Sequence, residues 1–360
     1  MKDFFFMGGN TPDGFYTPLD EFVYGSNYHA YILKGGPGTG KSTLMKKIAG
    51  QFEGTEDVTV FYCSSDPDSL DAVVLHSSKV VIVDGTAPHV FDPKYPGIGE
   101  TIINLGAFWD EEALKSHRDE IIHSINIKKV VMDSSASHAH ALGIICRDIL
   151  NLAGSFLKHE KVKEVAEGFC DGIFSGAGGH KGAKKIRILS SMTRNGYMTQ
   201  YDTFSNYKKI YLLKDDMFAA SKLFLDLVSE RALDCGLNVK VSPCLLMGKS
   251  HIEHLLIDDL GIAITSSNAL NNISFESLNI DTEIIDLFGY YDKEKMSPLK
   301  DHINNELRLM EHLSNSSIEI LKEAKQIHDN TESYYAGAMD FKALDRICDE
   351  LHRKIRERSL

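Results

Sequence analysis

The chain has 360 residues, enough for two domains, with 43% apolar and 25% charged residues, the balance of a soluble globular protein. Its net charge of −12 disfavours nucleic acid as a partner, since such binders usually carry a basic surplus. The six cysteines form no CxxC pair, so neither a zinc site nor a disulfide framework is indicated, and reduced thiols in the cytoplasm are the simplest expectation.

The opening segment MKDFFFMGGNTPDG has only a four-residue apolar run, too short for a signal-peptide core. No later run approaches the ~20 apolar residues of a membrane helix. Residues 4–7 read as a strand, 8–14 as a turn cluster and 15–17 as a returning strand. The apolar run Ala30-Tyr31-Ile32-Leu33 then leads into Gly35-Gly36-Pro37-Gly38-Thr39-Gly40-Lys41-Ser42-Thr43, followed by a helix-like stretch to about Phe52. Strand, glycine-rich loop and helix is the context of a phosphate-binding P-loop. The glycines let backbone N–H groups approach phosphate oxygens, and the helix N-terminus adds partial positive charge. Lys41 would reach the β- and γ-phosphates of ATP or GTP, and Ser42 would ligate Mg²⁺.

Residues 58–63, VTVFYC, predict a second strand, and SSDPDSLD at 64–71 a polar turn able to cap a short helix. Val80-Val81-Ile82-Val83-Asp84 is a buried-type strand ending in a carboxylate, the form of a Walker B residue, and Asp84 would hold Mg²⁺. Strands alternating with helices predict a parallel sheet. Gly85 stands where many ATP-hydrolysing proteins place a glutamate, so the hydrolytic base is open; Asp66, Asp68, Asp71, His89 and Glu100 are candidates by residue type. Residues 86–108 read as a long loop beside the nucleotide. Helical patterns follow at 111–125 and 128–157; His138 and His140, two apart, do not share a helix face and do not suggest a metal site. The glycine-rich GIFSGAGGHKG at 172–182 is the best boundary, giving domains 1–175 and 183–360.

The second half repeats the first at an offset of 180 to 182 residues. Residues 6–15 fall on 188–197, YILK at 31–34 on YLLK at 211–214, and the Asp84 strand on 261–267, with Thr265 opposite Asp84. The glycine loop is replaced by Asp215-Asp216-Met217-Phe218-Ala219-Ala220-Ser221-Lys222-Leu223, with Lys222 one place out of register with Lys41. Without glycines, and with two aspartates where phosphate charge would lie, this copy is expected to be inactive. The expected fold is thus a duplicated α/β, P-loop NTPase-like three-layer α/β/α architecture with helical additions in each half. The C-terminal stretch 301–359 is strongly helical and takes the place that 111–168 hold in the first half.

With GGPGTGKST, SSDPDSLD, VVIVDGTAPH at 80–89 and YYAGAMDF at 334–341, the chain resembles a bacterial family of poorly characterised proteins with two tandem P-loop NTPase-like halves, usually called ATPases or ATP-binding proteins. The resemblance implies ATP or GTP binding with Mg²⁺ and little more, and this chain departs from it in lacking a second P-loop. The leading expectation is a slow or partner-stimulated ATPase, with Lys41 and Asp84 in the chemistry and Arg187 or Arg194 supplied by the second half. A small-molecule or nucleotide kinase is the rival, its acceptor held by residues 86–106, although the first half is poor in arginine (Arg118 and Arg147). The third is a nucleotide-switched regulatory protein that presents the degenerate half to a protein partner.

Overall fold

The computed structural model describes residues 1–11, 14–25, 27–87, 90–174 and 180–358. The first half runs β1 (Lys2–Phe6), β2 (Gly9–Thr11), β3 (Gly14–Tyr16), α1 (Asp20–Val23), β4 (His29–Lys34), α2 (Lys41–Phe52), β5 (Val58–Tyr62) and β6 (Leu70–Leu75). It continues with β7 (Val80–Asp84), β8 (Glu100–Asn104), α3 (Glu111–Ser116), α4 (Arg118–Gly154) and α5 (His159–Ile173). The second runs β9 (Lys184–Ile186), β10 (Ser190–Thr193), β11 (Gly196–Thr199), β12 (Lys209–Lys214), α6 (Ala219–Asp234), β13 (Val239–Pro243) and β14 (Ile252–Ile257). It ends with β15 (Ile262–Ser267), β16 (Asp281–Asp286), α7 (Lys293–Met296), α8 (Lys300–Gly337) and α9 (Phe341–Arg358).

Two six-stranded sheets result, in the orders β1-β5-β6-β7-β4-β8 and β9-β13-β14-β15-β12-β16. Both are mixed rather than parallel, because β6 and β14 run against their neighbours. LDAVVL at 70–75 was hidden behind the polar turn before it. Only residues 76–79 join it to β7, far fewer than the dozen or so a parallel crossover needs, so β6 must be antiparallel. The expected loop at 86–108 likewise contains an edge strand, β8. Order and sense of the strands match between the sheets, and so do details at the hairpins. Thr11 and Thr193 each donate a side-chain bond to the carbonyl of a left-handed glycine, Gly14 and Gly196. Phe6 donates its N–H to the carbonyl of its own counterpart, Ile188, at 2.7 Å.

Neither sheet forms the expected three-layer sandwich. Apart from the single turn of α1, each has its α-helices on one face only, and the other face looks into a shared central core. Phe5, Ile32, Phe61, Val81 and Val83 of the first sheet meet Ile210, Leu212, Leu256 and Ala263 of the second there, with Phe22 and Phe204 between. The order is therefore helices, sheet, common core, sheet, helices, and the apolar alternation along β4 and β12 feeds both of their faces.

The outer helices are exchanged. α5 of the first half packs on α6 of the second, burying Val162, Ala166 and Cys170 among Phe224, Leu225 and Val228. α9 of the second half packs on α2, with Leu344, Cys348, Leu351 and Ile355 against Leu44, Met45 and Ile48. The crossing points are reciprocal. Asp110 N–H donates to Ala338 O at 2.8 Å and Asp340 N–H to Phe108 O at 3.0 Å; their counterparts are Asp292 N–H to Phe156 O and Lys158 N–H to Tyr290 O, both 2.9 Å. All four residue pairs obey one offset of 182. The long helices α4 and α8, 37 and 38 residues, carry each half across and pack antiparallel along one another, as Lys128 against His328 and His117 against Tyr334 mark. A cut between 175 and 183 separates the sheets but leaves each with the other's outer helix. Residues 175–179, at the centre of the expected boundary, lie outside the described residues. Among the described residues no helix is long and apolar enough to cross a membrane.

Candidate functional site

At the carboxyl end of β4 the chain turns through six residues, Gly35 to Gly40, before α2 starts at Lys41. Gly38 and Gly40 have φ of +71° and +81°, which L side chains rarely adopt. Thr39 is buried and donates to Gly36 O at 2.9 Å, closing the loop on itself. Lys41 folds back over it and donates to Gly35 O at 2.9 Å and Gly36 O at 2.8 Å. Its Nζ stands 3.6 Å from Oδ2 of Asp84, whose strand β7 lies directly beside β4. Oδ1 of Asp84 accepts from Thr86 N–H at 2.9 Å and the Thr86 hydroxyl at 2.6 Å. Burial raises the Asp84 carboxyl above its ordinary value, against the pull of Lys41 and Thr86, and the charge of nearby Asp71 adds to the rise. Ser42 Oγ accepts the Leu70 N–H at 2.9 Å. Thr43 is exposed on the first turn of α2.

A concave loop, a lysine, a serine hydroxyl and a buried carboxylate thus meet at one sheet edge. The donor set suits a divalent cation: among the described residues Oδ2 of Asp84 accepts no hydrogen bond, and its negative charge is costly where it is buried. The geometry suits a phosphate chain for the same reason, since first-turn N–H groups of a helix need an acceptor.

The second half contributes to this edge at two places. The elbow between α8 and α9 lies on the loop. A Cβ at Gly38 would sit 2.7 Å from Glu332 O and 3.1 Å from Ala336 N, and one at Gly40 2.4 Å from Leu344 Cδ2. Gly36 faces the paired rings of Trp109 and Tyr335, whose centroids are 5.3 Å apart: a Cβ there would sit 3.1 Å from Tyr335 Cε1 and 3.4 Å from Trp109 Cζ2. The glycines are therefore required twice, for backbone conformation and for the close approach of the elbow. The second contact is Arg194, at the β10–β11 turn, which binds Asp66 at 3.2 Å and also pairs with Asp68. Lys325 of α8 binds the other oxygen of Asp66 at 3.2 Å. Burial would raise the Asp66 carboxyl, but Lys325, Ser69 and Arg194 together hold it below its ordinary value.

These positions sort the candidates for a hydrolytic base. Asp66 is committed to two cations, and Asp68 is exposed and paired. Glu100 starts β8, at the sheet edge opposite the loop, and accepts from Tyr95 N–H. His89 lies outside the described residues. Asp71 is buried at the loop end of β6, close enough to raise Asp84. Arg187 is buried in the central interface, bound to Glu21 and stacked over Phe22 at 4.9 Å. It does not reach the glycine loop, because Glu21 and Phe22 of α1 hold it at the central interface.

The matching edge of the second sheet is built differently. Only four residues, 215–218, join β12 to α6, so Ala219 rather than Lys222 begins the helix at Lys41's place. Lys222 lies a turn further on and pairs with Asp226. Strand register sets Ser266, not Thr265, at Asp84's place: Leu213 faces Ser266 as Leu33 faces Asp84. Phe218 takes Gly40's left-handed conformation, φ +67°. Asp215 turns inward, 1% exposed, and its carboxylate accepts from Ser221 N–H at 2.8 Å, Met217 N–H at 3.2 Å and the Tyr291 hydroxyl at 2.8 Å. Two aspartates were expected to repel a phosphate; one of them instead fills the cradle itself.

Elsewhere, Asp148, His302 and Glu306 bring ligand atoms within 4.8 Å of one another on α4 and α8, largely exposed and away from Lys41. Sequence reading missed Trp109, Tyr335 and the elbow. Their only signals were a single tryptophan and the YYAGAMDF string, both far along the chain from Lys41. No protein-family model matches the chain, and comparison with curated proteins and with solved structures returns no match.

Proposed function

We propose that the chain is a Mg²⁺-dependent nucleoside-triphosphate-binding protein with one working site at residues 35–43, an ATPase-like P-loop protein whose second half is a duplicated, degenerate copy. The observation that carries this reading is the Lys41 arrangement: a lysine at the first helical position, folded over a six-residue loop with two left-handed glycines, 3.6 Å from a buried strand-end aspartate. In this reading Gly35, Gly36, Pro37, Gly38, Thr39 and Gly40 cradle the phosphates with backbone N–H groups, Lys41 balances their charge, and Thr43 extends the first turn. Ser42 and Asp84 hold Mg²⁺, which supplies charge neutralisation at the β- and γ-oxygens. Asp71 is the carboxylate best placed to orient water. The base can be adenine or guanine.

The elbow over Gly36, Gly38 and Gly40 favours a second reading, a nucleotide-regulated protein in which occupancy of the loop shifts α8 and α9 and so alters a partner surface. Measurement of turnover separates the two. Equilibrium titration with a fluorescent ATP analogue and Mg²⁺ should give one site per chain, and Lys41→Ala should weaken it at least 100-fold. Two sites, or an unchanged Lys41→Ala affinity, would overturn the assignment.

A further inference from the structure

Trp109 follows β8 and sits against the glycine loop. A Cβ placed on Gly36 would be 3.4 Å from Cζ2 of its indole, the ring carbon one bond from the carbon that bears Nε1. The opposite edge, Cζ3 and Cη2, faces Gly106. The six-membered ring of the indole thus packs between Gly36 and Gly106, with the carbon nearest the nitrogen side against the loop. Its Nε1 is shut off from solvent and has no hydrogen-bond partner among the described residues. A buried N–H without an acceptor costs about 1–3 kcal/mol, and buried tryptophan N–H groups usually find one.

The second half shows what this place in the fold does when an anion is present. By the offset of 182 that relates the four crossing bonds, the counterpart of Trp109 is Tyr291. Its hydroxyl donates to the Asp215 carboxylate at 2.8 Å and accepts the Ala220 N–H at 3.0 Å. Asp215 is itself held by the Ser221 N–H in the first turn of α6 and the Met217 N–H just before it, as a ligand would be. One loop therefore carries an anion and an aromatic donor bound to it. The other has Lys41 folded over its glycines and, beside it, an aromatic donor that binds nothing among the described residues.

We propose that Trp109 is a ligand-binding residue of the glycine loop, its indole N–H donating to a phosphate oxygen of the bound polyphosphate. The inference rests on the nucleotide reading of the loop and adds to it a donor from outside the strand–loop–helix unit. The donor reads the phosphate chain and not the base, so inorganic tripolyphosphate should engage it as a nucleotide does. Adenosine, which lacks phosphate, should not.

The chain's single tryptophan gives one indole N–H resonance, which reports on this atom directly. In the full-length protein with Mg²⁺, saturation with tripolyphosphate should move that resonance downfield, and adenosine at the same concentration should leave it in place. Trp109→Phe keeps an aromatic ring beside Gly36 and removes the donor. It should weaken tripolyphosphate binding by about tenfold in calorimetry, the size expected for a hydrogen bond to a charged group. Calorimetric saturation with an unmoved resonance, or a Trp109→Phe protein of parental affinity, would overturn the proposal while leaving the Lys41 site standing. Absence of any calorimetric binding of ATP, GTP and tripolyphosphate would overturn both. The titration of the unsubstituted protein needs no variant to fold.

Discussion

The loops at 35–40 and 215–218 leave equivalent strands and begin equivalent helices, yet they meet the same demand in opposite ways. Each helix start presents N–H groups with no partner inside the helix. The longer loop keeps two left-handed glycines, a lysine and a nearby aspartate, and on the reading proposed above its N–H groups await an external anion. The shorter one turns Asp215 inward and satisfies its own N–H groups with a carboxylate of the chain. Where no ligand serves the helix start, the donors still need an acceptor, and in the second half the acceptor is part of the folded core.

The comparison can be broken most directly at Asp215. Asp215→Ala strands the Met217 and Ser221 N–H groups and the Tyr291 hydroxyl in a buried site. It should cost roughly 3–5 kcal/mol in urea unfolding, several unsatisfied groups at once, and should confer no second nucleotide site. A loss under 1 kcal/mol would mean that the carboxylate is not the core element described.

A smaller effect is expected at Glu253, which occupies in the second sheet the place of Asp71 in the first. Burial raises its carboxyl to about 7, and donors from Asn271, Tyr197 and Asn268 only partly oppose the rise. Between its ordinary value near 4.5 and about 7 the folded protein holds a proton that the unfolded chain has released. Stability should therefore fall as pH rises through that window and level off above it. Glu253→Gln should flatten the slope and be the more stable protein at pH 8, by about 2–3 kcal/mol. Parallel stability–pH curves for the two proteins would count against a protonated Glu253 in the folded state.

The smallest change is Tyr291→Phe, which removes one donor to Asp215 and the acceptor of the Ala220 N–H but leaves the carboxylate its two backbone bonds. About 2 kcal/mol of stability should go, read as a shift in the urea midpoint. Loss as large as that of Asp215→Ala would show the hydroxyl, and not the backbone, to be the main partner of the carboxylate.

Local chemistry made the glycine loop, its strand and its helix legible from residues 30–52, and the order of the two halves legible from their offset. The apolar end of β7 marked Asp84 in the same way. These features lie close together along the chain and obey backbone rules that a string of residues displays. The sequence did not display that β6 is a strand, that the second loop is two residues shorter and so displaces Lys222, or that Ser266 and not Thr265 faces Leu213. Such points depend on hydrogen-bond register between strands, which residue types specify only weakly. Least legible was the exchange of α5 and α9. An amphipathic helix records that it has an apolar face, but not which sheet will cover it, and both sheets here offer similar faces. Tertiary packing alone brought Trp109 and Tyr335 to Gly36 and laid the elbow of the second half over a loop some 300 residues away in sequence.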